Sequence, residues 1–133
     1  MVTLSTLRSL FVPGLCMAVA PEPAPASRAV LDGRKFEGIV IECGKTSGDA
    51  DTLLFTDGRF RSTACDQYGY GDGPYKATRS GETVVFEAET ESPQYGKLRW
   101  NGVVRGPRLD GTMTMVRDGR ATGEKWVIAG EKS

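Results

Sequence analysis

Apolar and polar residues alternate along much of the chain after Ala26. The stretch LRWNGVVR puts Leu98, Trp100 and Val104 on one side of an extended chain and mostly polar residues on the other. The stretches TVVFEAE, LDGTMTMV and EKWVIAG alternate in a similar way. This pattern predicts the strands of an antiparallel sheet that has one apolar face.

Eight segments separated by glycine-bearing turns are predicted to be strands: 35–43, 52–56, 59–65, 75–78, 83–89, 97–105, 109–116 and 124–130. An open sheet of eight strands would leave two edges unpaired, so we expect the sheet to close into a single antiparallel up-and-down β-barrel. A two-layer sandwich is the alternative, because large aromatic residues mixed with glycine and alanine suit both interiors. The fold class is therefore all-β.

The same alternation predicts which large side chains point inward. The side chains predicted to point into the interior are those of Phe60, Phe86, Trp100, Met113 and Trp126. The interior of an eight-stranded barrel is wide enough to be filled by such side chains or to hold one small ligand.

The predicted connections differ in length. Tight turns are expected at Asp57-Gly58, around Ser80-Gly81 and at 106–108, and long loops at 44–51, 66–74, 90–96 and 117–123. Alternate connections of a meander lie at the same end of the barrel. We therefore expect one closed end, the floor, and an opposite end, the mouth, that carries the long loops.

Tyrosines are concentrated in the predicted mouth loops. Tyr68 and Tyr70 belong to CDQYGYGDGPY, and Tyr95 belongs to SPQYG. Tyrosine offers apolar area and a hydrogen-bonding tip, which suits a binding surface. The alternative is that these rings only cover the end of the barrel, with the glycines serving as turn formers.

The first 26 residues are typical of a signal peptide. Arg8 precedes a short apolar run over 10–20, and Ala24-Pro25-Ala26 is a cleavage sequence before Ser27. A tail that stays attached is the alternative. Residues 27–34 would form a short lead and residues 35–133 the barrel domain of a periplasmic or secreted protein.

Export to an oxidising compartment would allow the cysteines to form a disulfide. Without Cys16, the mature chain would keep Cys43 and Cys65, and an exported protein with an even number of cysteines predicts a disulfide. Each cysteine is the last residue of a predicted strand that runs toward the mouth, so a Cys43–Cys65 bond would brace that end.

The composition disfavours several functions. Lys and Arg total 17, Asp and Glu also total 17, and histidine is absent. This excludes a Ser-His-Asp triad and offers no basic excess for nucleic acid. Asp49 and Asp51 do not match a calcium-loop motif, and Glu87 and Glu89 alternate along one strand toward solvent. We predict a non-catalytic monomer without a cofactor, metal or membrane span.

The run from FEGIVIEC through LLFTDGRFRSTACDQYGYG to GKLRWNGVVRGPRLDGTMTMV resembles small exported bacterial β-barrels of the lipocalin-like, or calycin, kind. The resemblance lies in architecture and covers most of the mature chain; the Gly-x-Trp motif of strict lipocalins is absent. It implies a non-catalytic barrel that holds a small apolar ligand or presents its loops to a partner. We expect a small hydrophobic molecule at the mouth, and the alternative is an envelope protein, as for an exported protease or lysozyme inhibitor. The predicted ligand-binding residues are Tyr68, Tyr70, Tyr95, Trp100, Met113 and Trp126.

Overall fold

The chain folds into a closed antiparallel barrel of eight strands in a computed structural model that describes residues 29–132. The strands are β1 Lys35–Glu42, β2 Asp49–Thr56, β3 Arg59–Ser62, β4 Asp72–Ser80, β5 Thr83–Ser92, β6 Gly96–Arg105, β7 Arg108–Arg117 and β8 Arg120–Lys132. Each strand pairs with the next, and β8 pairs with β1, which confirms the predicted up-and-down barrel.

The predicted signal peptide, its cleavage site and Cys16 lie outside the described residues. Within residues 29–132, no helix has both the length and the apolar character needed to cross a bilayer.

The two ends of the barrel differ, but less than the sequence predicts. Two-residue turns join β2 to β3, β4 to β5 and β6 to β7 at the floor. At the mouth, residues 43–48 and 63–71 form long connections, and the second contains the 3₁₀ helix Thr63–Tyr68. The other two predicted long loops are wrong, because their flanking strands extend and leave only 93–95 and the turn Asp118-Gly119. Asp118 and Gly119 both have positive φ (53° and 76°), as a tight hairpin turn requires.

An aromatic cluster fills the lower half of the barrel. Phe55 lies at its centre, with ring centroids 4.9 Å from Tyr75, 5.2 Å from Phe60, 5.2 Å from Phe86 and 6.0 Å from Phe36. All five side chains are buried. These edge-on and tilted contacts are the arrangements that aromatic rings prefer.

The residues before β1 seal the floor. Leu31 is fully buried beneath the aromatic cluster. The Asp32 carboxylate accepts hydrogen bonds from the Gly58 backbone N–H (3.0 Å) and the Tyr75 hydroxyl (2.6 Å). Arg34 donates two hydrogen bonds to Glu131 in β8. The lead at 29–34 is thus part of the barrel domain and closes its lower end.

In β5, β6 and β7 the residues predicted to point inward do so. In β8 the other set of alternate residues points inward. Val127 and Ala129 point inward and are buried. Trp126 and Ile128, which the alternation placed inside, are 48% and 40% exposed on the outer surface. The prediction of Trp126 as an interior residue is therefore wrong.

A β-bulge causes the reversal. Met115 in β7 pairs with Gly123, whereas the next residue, Val116, pairs with Ala121, so Thr122 is an extra residue in β8. Because side chains alternate along a strand, one extra residue moves every later side chain to the opposite face.

The reversal leaves an apolar strip on the outside of the barrel. Ile39 pairs with Ile128 and Ile41 pairs with Trp126 across β1 and β8. Ile39, Trp126 and Ile128 are each at least 36% exposed, whereas Ile41 is 7% exposed. We call these four residues the outer strip.

Candidate functional site

A cavity of about 610 Å³ occupies the upper half of the barrel, above the aromatic cluster. Trp100 lies between the two: its ring centroid is 4.9 Å from that of Phe60, and it also lines the cavity. Leu98, Met113 and Met115 add apolar surface to the wall. The interior of the barrel is therefore filled below Trp100 and hollow above it.

Five of the six predicted ligand-binding residues line this cavity: Tyr68, Tyr70, Tyr95, Trp100 and Met113. Trp126 is the exception, because the bulge turns it to the outer strip. Leu98 was predicted to face inward, and Met115 lies on the same side of its strand as Met113, but neither was singled out as a site residue.

The rim of the cavity is formed by an aromatic pair. The rings of Tyr68 and Tyr95 meet edge to face at 5.8 Å between centroids and are 50% and 43% exposed. Ser92 ties their two loops together, because its hydroxyl donates to the Tyr68 carbonyl (2.8 Å) and accepts from the Tyr95 N–H (3.3 Å). Gly69, with φ 87°, ends the 3₁₀ helix in a conformation that favours glycine. The CDQYGYG part of the segment is therefore anchored at the rim, whereas DGPY begins β4 and its Tyr75 belongs to the aromatic cluster below.

One wall of the cavity is polar. The Asp51 carboxylate is only 7% exposed and accepts hydrogen bonds from the Ser62 hydroxyl (2.5 Å) and the Ala64 N–H (3.0 Å). These bonds fix the start of the 3₁₀ helix to β2. Burial raises the pKa of Asp51, although the hydrogen bonds oppose the shift.

The raised pKa predicts how stability depends on pH. Because the folded state holds the Asp51 proton more tightly than the unfolded chain, the contribution of this residue is full below the unfolded pKa and is lost as pH rises through the folded pKa. Asp51→Asn stays neutral and keeps an oxygen for the Ala64 N–H. We expect the stability of the wild type, relative to this variant, to fall as the pH rises from about 4, near the ordinary pKa of an aspartate, toward neutral pH. Urea unfolding of both proteins across this pH range measures the difference between their free energies of unfolding. A difference that stays constant, or that favours the wild type more as the pH rises, would contradict the prediction.

The two cysteines lie at the mouth but are not bonded to each other. Cys43 is exposed in the turn after β1, whereas Cys65 is half-buried in the 3₁₀ helix and lines the cavity. Burial raises the pKa of the Cys65 thiol. The predicted Cys43–Cys65 disulfide is therefore not found, because the 3₁₀ helix turns one thiol toward the interior while the other is exposed to solvent.

The main residue that the sequence analysis missed is Lys125. This side chain is half-buried, points inward from β8 and lines the cavity. It lies on the face of β8 that carries Val127 and Ala129, which the sequence reading placed outside. Only the bulge at Thr122 brings it into the site.

Among residues 29–132, no three side chains of His, Cys, Asp or Glu lie close enough together to hold a metal ion. No family model matches the chain, and no curated protein or solved structure is significantly similar to it. The function is therefore inferred from the cavity itself.

Proposed function

We propose that this protein is a non-catalytic barrel that binds one small apolar molecule in the mouth cavity. The observation that carries the proposal is the hollow of about 610 Å³ above Trp100. This volume lies within the range of about 300–1,000 Å³ that is usual for small-molecule sites.

The lining supports the same function. The half-buried side chains of Val40, Tyr70 and Met115 present apolar surface to the cavity. Trp100, Leu98 and Met113 complete its lining and are each at most 5% exposed. Methionine side chains adapt to ligands of irregular shape because they are unbranched and flexible. The rim rings of Tyr68 and Tyr95 would cover the ligand and hold its outer end.

A lipocalin-like relationship and a location outside the cytoplasm belong to the proposal. The eight-stranded up-and-down barrel is the architecture of lipocalins, in which the interior holds the ligand. The location is proposed from the export signal in residues 1–26 of the sequence.

A cavity-filling variant tests the proposal. Met115 points into the cavity and is only half-buried, so Met115→Trp adds bulk to the hollow rather than to the packed core. We expect the wild type to bind the neutral fluorescent probe N-phenyl-1-naphthylamine with one saturable site. We expect Met115→Trp to weaken this binding at least about tenfold, because the indole occupies the space of the probe. A fluorescence titration measures both affinities.

Thr114→Trp is the matched control. Thr114 precedes Met115 in β7 and points to the outer surface, so this variant adds the same indole outside the barrel. Thermal unfolding would establish that both variants are folded. Absence of probe binding by the wild type, or equal binding by Met115→Trp and Thr114→Trp, would overturn the proposal.

A protein-binding function is the second candidate, and the exposure of the Tyr68–Tyr95 pair favours it. Tyrosine is enriched at protein interfaces because its ring brings large contact area at a low entropic cost. A protein held by this rim would still bind Met115→Trp, whose rim is unchanged, whereas a ligand inside the cavity would not.

A further inference from the structure

Lys125 places a positive charge inside a cavity whose walls are partly apolar and partly polar. It pairs with Met113 across β7 and β8, and both side chains line the hollow. Its ammonium group is near enough to Cys65 to oppose part of the rise that burial causes in the pKa of that thiol. A charged group in such a site is stable only if it is hydrated or meets an opposite charge.

No salt bridge within residues 29–132 involves Lys125. Glu42 is its neighbour in the strand register, but this carboxylate is 59% exposed and pairs with Lys45 at 3.7 Å. Asp49 also lines the cavity but is exposed at its edge. Asp51 is held by its own hydrogen bonds to the start of the 3₁₀ helix. Lys125 is therefore available to a ligand.

We propose that the ligand is an anionic amphiphile, with an apolar body in the cavity and a single carboxylate or similar anionic group on the Lys125 ammonium. This inference rests on the proposed function and adds the chemical class of the ligand. The apolar body would lie against Trp100, Leu98 and the methionines. The anionic end would point toward β8, where the hydrogen bond to a charged donor is stronger than one between neutral groups.

Two probes that differ only by a sulfonate group test the inference. The first is 8-anilinonaphthalene-1-sulfonate, and the second is N-phenyl-1-naphthylamine, which is the same molecule without the sulfonate. Lys125→Met removes the charge and keeps a long apolar side chain. We expect this variant to lower the affinity for the sulfonate probe, relative to the affinity for the neutral probe, at least about tenfold, because a charged hydrogen bond is lost.

Lys76→Met is the matched control, because Lys76 is exposed on the outer face of β4 and its loss changes the net charge equally. We expect this control to bind both probes as the wild type does. Either probe could also bind to the outer strip, and such binding would persist in Met115→Trp. Only the binding that this variant loses is therefore counted as binding in the cavity.

The outcomes separate the two proposals. If the neutral probe does not bind, or binds Met115→Trp as tightly as the wild type, the proposed function itself is wrong. If the neutral probe binds in the cavity but Lys125→Met leaves the ratio of the two affinities unchanged, only the anionic class is wrong. The anionic class is also wrong if Lys76→Met weakens binding of the sulfonate probe as much as Lys125→Met does, because the effect would then come from the net charge of the protein.

Discussion

Replacing Phe55 with alanine is expected to destabilise the barrel by about 4 kcal/mol, which is typical for the removal of a buried phenylalanine ring. Phe55 is fully buried, and four other aromatic rings surround it with centroids 4.9 to 6.0 Å away. Every strand of the closed barrel is hydrogen-bonded to a neighbour on each side, so the strands cannot move inward far enough to fill the space that the ring leaves. Because domains of this size are stable by about 5–15 kcal/mol, the loss would be a large part of the total.

Urea unfolding of the wild type and Phe55→Ala measures this loss. Val85→Ala is the control, since Val85 is 50% exposed on the outer face of β5 and its truncation should cost less than about 0.5 kcal/mol. If Phe55→Ala does not fold, Phe55→Leu, which leaves a smaller hole, should show a reduced but measurable loss. A loss below about 1 kcal/mol in Phe55→Ala would show that the aromatic cluster is not the centre of the core.

Replacing Gly38 with alanine is expected to destabilise the protein by about 3 kcal/mol, at the upper end for added bulk in a packed position. A Cβ atom at this position would lie 2.0 Å from the Ile128 carbonyl oxygen and 2.5 Å from the Ala129 Cα atom. Both are backbone atoms of β8, so no side-chain rotation can relieve the collision. The seam between β1 and β8, which closes the barrel, would have to separate.

Gly130→Ala is the matched control for this prediction. Gly130 lies in β8, and a Cβ atom built there meets nothing within 4 Å. We expect this variant to change the unfolding free energy by less than about 0.5 kcal/mol. Thermal or urea unfolding compares the two variants, and equal effects would mean that the seam is less tightly packed than the distances indicate.

The closure of the barrel could be predicted from sequence because it follows from local and general rules. Alternation in LRWNGVVR and LDGTMTMV gives strands with one apolar face, and eight such strands avoid exposed edges by closing. The same alternation placed Trp100 and Met113 inside, where both line the cavity. The tyrosines of the rim were also predicted, because a meander brings Tyr68 and Tyr95 to the same end.

The division of the interior into a filled half and a hollow half could not be predicted in this way. Alternation gives the direction of a side chain but not its height along the barrel axis. Phe55 and Phe60 meet near the floor because the two-residue turn between β2 and β3 pairs them. The lead at 29–34, which has no strand pattern, adds Leu31 below them.

Alternation along the chain is enough to predict the all-β class, the closed up-and-down barrel, the inward faces of β5, β6 and β7, and the aromatic rim. The face of β8 depends instead on how the strands pair, since Trp126 and Ile128 are as apolar as Val127 and Ala129 and either pair could have been buried. The choice depends on one extra residue, Thr122, opposite β7. Because that bulge exists only when two strands pair, no reading of β8 alone could show that Lys125 belongs inside the cavity.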